Sequence, residues 1–250
     1  MLNNLTKDHL LKLRLKGMLH AYEIQQSQPE MMELSFEDRF SLLVDAEVVT
    51  RDHNRIQRHL KAAHLRYPKA ILESIDYHGS RQLDKSLMAN LSGCHWIHAR
   101  QNLIITGACG TGKSWIACSF GTQACRLDYG TYYTSAQRLF EDLALAIADG
   151  TLSKFRRKLV GTELLIIDDF ALGGVDPALG PALLEIIDLQ SGNGSLLLTS
   201  QFPTSHWYTV FNDPTLADAI LDRIVHRAHL IELHGESMRK KQGMNMRNQE

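Results

Sequence analysis

One short segment, residues 107–114, constrains this chain more than any other. It reads GACGTGKS and fits the pattern GxxxxGK[ST] at every fixed position. An apolar run at 103–105 precedes it, and a helical stretch at 115–126 follows it. A strand, a glycine-rich turn and a helix in this order predict a phosphate-binding loop, or P-loop. The alternative is a glycine-rich turn that binds no ligand. The order of strand, motif and helix makes that alternative less favourable.

Each residue type in the segment has a chemical reason. Glycines let backbone N–H groups turn toward phosphate oxygens, and the helix N-terminus adds a favourable dipole. Lys113 offers positive charge to the β- and γ-phosphates, and the Ser114 hydroxyl is a ligand for Mg²⁺. The residues that we expect to bind ATP are Gly107, Ala108, Cys109, Gly110, Thr111, Gly112, Lys113 and Ser114. ATP and Mg²⁺ are therefore the expected cofactors, and ATP hydrolysis is the expected activity.

A second motif consists of four apolar residues, 164–167, that end in Asp168 and Asp169. A buried parallel strand delivers such carboxylates to the edge of the sheet where ligands bind. We expect Asp168 to hold Mg²⁺ and Asp169 to orient or deprotonate the attacking water. The alternative is a strand followed by a helix, with Asp169 as the helix cap.

The chain changes character near residue 100, with helical patterns before it and short β-rich runs alternating with helical stretches after it. Strands are predicted at 102–106, 131–134, 164–167, 195–199 and 229–233. Strand–helix alternation predicts an α/β fold with a central parallel five-stranded sheet. We expect a small all-helical N-terminal domain over 1–68 and an ATPase domain over 69–250, with 69–100 as the lead-in.

The helical region shows two periodic stretches. Leu11, Leu15, Met18 and Tyr22 share one face of a predicted helix that Pro29 closes. A second pattern begins at a capping box formed by Ser35 and Asp38, runs to residue 65 and is stopped by Pro68.

Residues 51–69 form a basic stretch with a single acid, Asp52. On a helix, Arg51, Arg55 and Arg58 fall on one face, flanked by Lys61 and Arg66. In a chain of net charge −1, this clustering predicts contact with the DNA phosphate backbone through Arg51, Arg55, Arg58 and Lys61. A solvated helix face is the alternative. Further basic clusters lie at 154–158 and 239–241, and no base-reading motif is visible, so we expect little sequence preference.

The location expected from the sequence is the cytoplasm. The four cysteines form no CxxC pair, which is typical of free thiols in a reducing compartment. Charged residues interrupt the N-terminal segment, and no apolar run is long enough to span a membrane.

Three stretches carry a resemblance to a known family: LLIIDDF at 164–170, LTSQFP at 198–203 and the long segment 213–241. They resemble the IstB-like transposition helper ATPases of insertion sequences, which are AAA+ proteins related to the helicase loader DnaC. The resemblance implies an AAA+ fold for the ATPase domain. It also implies that Gln201 is the sensor 1 residue, and that Arg223 is an arginine finger that reaches the ATP of a neighbouring subunit. Arg227 is the nearest competitor for that role, and Arg239 is a candidate sensor 2 residue.

The function implied by this resemblance is that of an ATPase that assembles into an oligomer on duplex DNA and assists a transposase. A replicative helicase loader has the same ATP chemistry and stays open as an alternative. A small-molecule kinase would need no arginine finger from a second subunit. A nucleotide-gated binding module that rarely turns over also stays open, because Asp169 stands where many AAA+ proteins have Glu.

Overall fold

The computed structural model describes residues 2–77, 82–211, 213–235, 237 and 238. It divides into two compact units, Met1–Arg58 and His59–Glu250. The domain boundary at residue 68 stays a prediction. Within the described residues, no helix combines the length and the apolar character needed to cross a lipid bilayer.

The first unit is helical. It contains α1 (Leu2–Lys12), α2 (Lys16–Ser27), a 3₁₀ turn (Pro29–Glu33) and most of α3 (Phe36–Ala63). At the start of α3, the Ser35 hydroxyl oxygen accepts the N–H of Asp38 at 3.1 Å, as the predicted capping box requires.

The prediction of one continuous helix through Leu11 and Tyr22 was wrong. Arg14 adopts a left-handed φ of 58°, which ends α1. The buried carboxylate of Glu47 then accepts the N–H groups of Gly17 at 2.8 Å and Met18 at 3.1 Å, in the first turn of α2. A long-range contact of this kind has no signature in the local pattern.

The second unit alternates strands and helices, as predicted. Its α-helices and strands after α3 are α4 (Lys85–Ser92), α5 (His95–His98), β1 (Asn102–Gly107), α6 (Lys113–Arg126), β2 (Thr131–Ser135), α7 (Ala136–Ala148), α8 (Leu152–Val160), β3 (Leu164–Asp168), α9 (Gly180–Asn193), β4 (Ser195–Ser200), α10 (Pro214–Val225) and β5 (Ala228–Leu233), and short 3₁₀ helices lie at Leu72–Ser74, Pro177–Leu179 and Thr204–Val210. Each strand overlaps one of the predicted strands.

The five strands form one sheet in the order β2-β3-β4-β1-β5. All pairs are parallel, with Ile104 of β1 opposite Leu198 of β4 and Leu230 of β5. The carboxyl ends of β1, β4 and β3 therefore lie side by side at one edge of the sheet. Ligands of open α/β sheets bind at this edge.

Apolar side chains cover both faces of the sheet. Leu103 and Ile105 of β1 pack on one face, in a cluster that includes Phe120 of α6. Ile104 packs on the other face, in a cluster that includes Ile187 of α9 and residues of α10. Full burial of each such side chain stabilises the fold by about 1.5–3 kcal/mol. The sheet is thus a rigid support for the loops at its carboxyl edge.

The four cysteines, Cys94, Cys109, Cys118 and Cys125, are free thiols. Burial raises the pKa of Cys94 to about 12 and that of Cys118 to about 11. These two thiols are therefore protonated at neutral pH and pack as small apolar groups.

Candidate functional site

The P-loop joins β1 to α6 and depends on its glycines. Gly107, Gly110 and Gly112 have φ values of 146°, 81° and 95°, in the region that side chains rarely adopt. A Cβ at Gly107 would also collide with the carbonyl oxygen of Leu233 in β5, and one at Gly110 would collide with the hydroxyl of Ser237. Glycine is therefore favoured at all three positions by backbone conformation, and at Gly107 it is also required by space.

Lys113 is buried within the loop that it follows. Its Nζ donates to the carbonyl oxygens of Gly107 at 2.8 Å and Ala108 at 2.9 Å. The hydroxyl of Thr111 donates to the same Ala108 carbonyl at 2.9 Å. A buried ammonium group needs such acceptors. The loop therefore holds an ammonium group that can also bind an anionic ligand.

A cavity of about 610 Å³ opens beside the P-loop. Its lining residues are Arg66, Tyr67, Ser74, Ile75, Asp76, Cys109, Gly110, Gly112, Lys113, Ser114, Trp115, Asp169, Gln201 and Met238. The structure thus brings Lys113, Ser114, Asp169 and Gln201 together in one cavity. Gly107, Ala108 and Thr111 shape the loop without lining the cavity. A volume of this size is typical of small-molecule sites.

Asp168 lies at the end of β3 and is completely buried. The hydroxyl of Thr199 donates to its Oδ1 at 2.5 Å, and the hydroxyl of Tyr133 donates to its Oδ2 at 2.6 Å. Arg66 Nη1 lies 3.5 Å from the same Oδ2. Burial, reinforced by the hydrogen bond to Asp168, raises the pKa of Tyr133 far above its usual range. The phenol therefore stays a donor to the carboxylate.

Asp169 is held in a left-handed conformation, with a φ of 56°. Such conformations cost about 1–3 kcal/mol for residues other than glycine, and they concentrate at functional sites. The N–H of Asp169 donates to the Thr199 hydroxyl at 2.9 Å, so Thr199 connects both acids. In the described part of the chain, no helix starts directly after Asp169, which excludes the helix-cap alternative.

Gln201 follows the last residue of β4 and is positioned by a buried aromatic pair. Trp207 Nε1 donates to the Ser200 hydroxyl at 3.2 Å and to the Phe202 carbonyl at 3.0 Å, on either side of Gln201. The Trp207 ring packs edge-on against Phe170, with centroids 5.0 Å apart. Because Phe170 follows Asp169, this pair fixes the ends of β3 and β4 relative to each other.

Arg223 lies on α10 and lines a second cavity of about 820 Å³. Its Nε is 2.5 Å from Asp188 Oδ1, and its Nη1 donates to the Ala219 carbonyl at 2.9 Å. The buried Asn102 amide donates to the carbonyl of Arg223 at 3.1 Å and so ties the end of α10 to β1. Arg223 is not among the described residues that line the cavity beside the P-loop. Arg227 is exposed, and the finger role stays a prediction.

The basic face of α3 is partly neutralised. Arg51 Nε lies 2.7 Å from Glu47 Oε1, and Arg55 Nη2 lies 3.0 Å from Asp52 Oδ1. All four predicted DNA-binding residues, Arg51, Arg55, Arg58 and Lys61, are exposed. Arg66 is also exposed, but it differs from these four because it lines the cavity and lies 3.5 Å from Asp168. In the cluster 154–158, Lys158 Nζ lies 4.6 Å from the ring centroid of Tyr132.

Several residues that line or support the cavity have no clear signature in the sequence. Arg66 was interpreted as part of the basic stretch, and Tyr133 and Trp207 showed no pattern at all. Thr199 gave one signal, a hydroxyl that ends the apolar run of β4. Met238 donates its N–H to the Gly110 carbonyl at 2.9 Å and closes the cavity wall. The predicted sensor 2 residue Arg239 and the cluster 239–241 lie outside the described residues.

The oxygen groups at the site fit Mg²⁺. Of the two predicted ligands, the Ser114 hydroxyl lines the cavity, whereas Asp168 is fully buried next to Asp169 and accepts a hydroxyl donor on each oxygen. Among the described residues, no group of three or more His, Cys, Asp or Glu could form a metal cage. Mg²⁺ in nucleotide sites is held by few protein oxygens, together with phosphates and water. Ser114 matches that pattern, and the role of Asp168 as a magnesium ligand stays a prediction.

Comparison with known proteins agrees with this geometry. The model of the family described as "IstB-like ATP binding protein" matches residues 8–246. The chain is 41% identical over 242 residues to the "Putative insertion sequence ATP-binding protein y4pL" of Sinorhizobium fredii, covering 97% of this chain and 98% of that protein.

Solved structures share the fold. AMPPCP-bound DnaA from Aquifex aeolicus superposes with a TM-score of 0.58 at 18% identity, covering 75% of this chain and 57% of that one. DnaI superposes with a TM-score of 0.58 at 16% identity, covering 72% and 98%. The predicted fold class is confirmed: a P-loop AAA+ domain with a central parallel five-stranded sheet, preceded by helices.

The hydroxyl network around Asp168 generates a stability prediction. We expect Thr199→Val to lower the free energy of unfolding by about 2–3 kcal/mol, because it leaves a buried carboxylate oxygen and the Asp169 N–H without this partner. Tyr133→Phe should cost less, about 1–2 kcal/mol, since it removes one donor. Urea unfolding of the full chain measures both.

Thr209→Val is the matched control, because that threonine is exposed and its hydroxyl donates to the nearby His206 carbonyl. We expect its effect to stay within about 0.5 kcal/mol. Equal losses of stability for Thr199→Val and Thr209→Val would contradict a bridging role for Thr199.

Proposed function

Because this chain belongs to the family of IstB-like ATP-binding proteins, we propose that it hydrolyses ATP in the P-loop cavity. We further propose that ATP drives its self-association on duplex DNA, where it assists a transposase in target selection or transposase activation. Its place of action is the cytoplasm, where free thiols persist.

One observation carries the ATPase proposal: Lys113, Ser114, Asp169 and Gln201 line a single cavity, and the buried Asp168 precedes Asp169 in the chain. Phosphoryl transfer needs charge neutralisation and positioning more than covalent chemistry. A cation, a metal-binding hydroxyl, a carboxylate and an amide are the groups that this reaction uses. A glycine-rich turn without a ligand would not need them side by side.

Each residue has a distinct task in this proposal. Lys113 and the loop N–H groups bind the phosphates, and Ser114 and Asp168 hold Mg²⁺, which supplies charge neutralisation when bound. Asp169 orients the attacking water and accepts its proton, a role that requires a hydrogen bond between the carboxylate and that water. The Gln201 amide contacts the terminal phosphate or the water. Thr199, fixed between the two acids, keeps their spacing constant during the reaction.

Arg223 completes the site from a neighbouring subunit in this proposal. It lies on α10, outside the described lining of the nucleotide cavity of its own chain. A guanidinium supplied across a subunit boundary would stabilise the charge of the transition state. Hydrolysis would then require assembly, and assembly would respond to nucleotide.

The transposition role is supported by the names of the relatives, which place ATP-binding proteins in insertion sequences. DNA contact is supported by the exposed cations of α3. A replicative helicase loader is the alternative, because the solved structures that share this fold include the DnaC helicase loader. The partner separates them: a transposase with duplex DNA, or a helicase with single strands.

The proposal predicts a particular dependence of the ATPase rate on protein concentration. We expect steady-state hydrolysis to rise cooperatively with protein and to be stimulated by duplex DNA of random sequence. Lys113→Ala should abolish ATP binding and hydrolysis, because it removes the cation of the loop. Lys69→Ala is a matched control, since Lys69 is exposed and the described cavity lining does not include it. A rate linear in protein and indifferent to DNA would exclude assembly-dependent hydrolysis.

Arg223 generates a complementation test. We expect Arg223→Ala to lower kcat at least about 10³-fold. Mixing it with Asp169→Asn, which keeps the P-loop needed for ATP binding and assembly, should restore part of the activity, because the intact acid of one variant meets the intact finger of the other. Asp188→Asn is the control, since it weakens the Arg223 ion pair but keeps the guanidinium, and it should retain activity. A mixture that stays inactive would mean that Arg223 does not act in trans.

The basic face of α3 predicts a salt effect. Replacing Arg51, Arg55 and Arg58 by Ala should weaken binding to random duplex DNA. The slope of log affinity against log salt should flatten by about 0.9 for each phosphate that the variant no longer neutralises. Arg138→Ala is the control, because Arg138 is an exposed arginine with an i,i+4 acid partner, like Arg51. An unchanged slope would mean that the face is only solvated.

A further inference from the structure

Arg66 is a cation of the nucleotide cavity that no sequence motif indicates. It follows the end of α3 at Ala63 and lines the cavity together with Lys113, Asp169 and Gln201. Among the described lining residues, Arg66 and Lys113 are the two cations, and they come from distant parts of the chain.

The position of Arg66 is fixed by charge and by stacking. Its Nη1 lies 3.5 Å from Asp168 Oδ2 and 4.0 Å from Asp169 Oδ2. Its Cζ lies 5.6 Å from the ring centroid of Tyr67, and that ring is tilted against Trp115 at 5.5 Å. Trp115 is the residue after Ser114. The guanidinium is therefore connected both to the acids and to the P-loop helix.

The guanidinium retains room for an anion. Its side chain is 46% exposed, whereas Asp168 is 0% exposed, so its outer side faces the cavity. Both contacts with the aspartates go through Nη1. A guanidinium carries five N–H donors in a planar fork and binds phosphate readily. It can therefore contact the carboxylates on one edge and a phosphate oxygen on another.

The location of Arg66 indicates which phosphate it can reach. The P-loop surrounds the inner phosphates, and Asp169 and Gln201, at the ends of β3 and β4, stand at the outer end of the expected nucleotide. Arg66 lies 4.0 Å from Asp169 and lines the cavity together with Gln201, whereas the contacts of Lys113 are with the loop carbonyls.

We propose that Arg66 contacts the terminal phosphate of ATP within its own chain and thereby distinguishes ATP from ADP. This inference rests on the proposed nucleotide site. It gives the site a cis arginine in addition to the arginine expected from a neighbouring subunit. A role as counter-ion to Asp168 and Asp169 alone would affect both nucleotides equally.

Equilibrium binding tests the proposal without catalysis. The probes are fluorescent N-methylanthraniloyl derivatives of ADP and of a non-hydrolysable ATP analogue, titrated with the full chain in Mg²⁺ and in EDTA. We expect Arg66→Gln to weaken binding of the triphosphate about tenfold and to change diphosphate binding less than about twofold, as for the removal of one charge-assisted hydrogen bond. Arg66→Lys, which keeps the charge but not the fork, should fall between.

Controls separate this inference from the nucleotide site itself. Lys69→Ala should bind both probes like the wild type, and Lys113→Ala should bind neither. Wild-type binding by Lys113→Ala would overturn the proposed nucleotide site. A different outcome is that Lys113→Ala fails to bind while Arg66→Gln lowers the affinity for both probes equally or leaves both affinities unchanged. Either result would overturn only the role of Arg66. Thermal unfolding without nucleotide shows whether Arg66→Gln is folded. If it is not, Arg66→Lys is tested instead, with the same ratio of triphosphate to diphosphate affinity as the readout.

Discussion

A carboxylate buried at the end of the central sheet governs the arrangement of this site. Removing a charged group from water costs several kcal/mol unless donors or cations compensate. Asp168 receives them from Thr199 on β4, Tyr133 on β2 and Arg66 after α3. Three separate parts of the chain therefore converge on one side chain. Because β4 lies between β1 and β3, the same convergence brings Asp169 and Gln201 to the P-loop.

Much of the fold could be predicted from the sequence, because buried parallel strands tend to be continuous apolar runs. Helical patterns also separate the predicted strands, which indicates a parallel sheet. The strands at 102–106 and 164–167 each lie within a residue of the observed ends. The strand order could not be predicted, since it depends on contacts between distant segments. The break between α1 and α2 was missed for the same reason: the Glu47 carboxylate that caps α2 lies on another helix.

The part of the candidate site that forms a contiguous motif could be predicted from the sequence. The residues that distant segments bring to the site could not. Residues 107–114 fix the P-loop because its geometry is local. Arg66 looked like one more cation of the basic stretch, and only the cavity separates it from Arg58. Trp207 had no local signal, because its task is to hold a turn several residues earlier in the chain. The spacing of residues in a sequence identifies functional groups that are close together in the chain. Groups from distant segments, such as Arg66 and Trp207, become apparent only in the folded structure.

The two cores on opposite faces of the sheet limit how such a chain can vary in length. Successive residues of β1, β3 and β4 alternate between the two clusters. A single inserted residue within a strand would exchange every following side chain between them. It would also shift the carboxyl end of the strand along the chain, away from its neighbours. Insertions and deletions among homologues should therefore accumulate in connecting loops such as 171–176, while the strands keep a constant residue count.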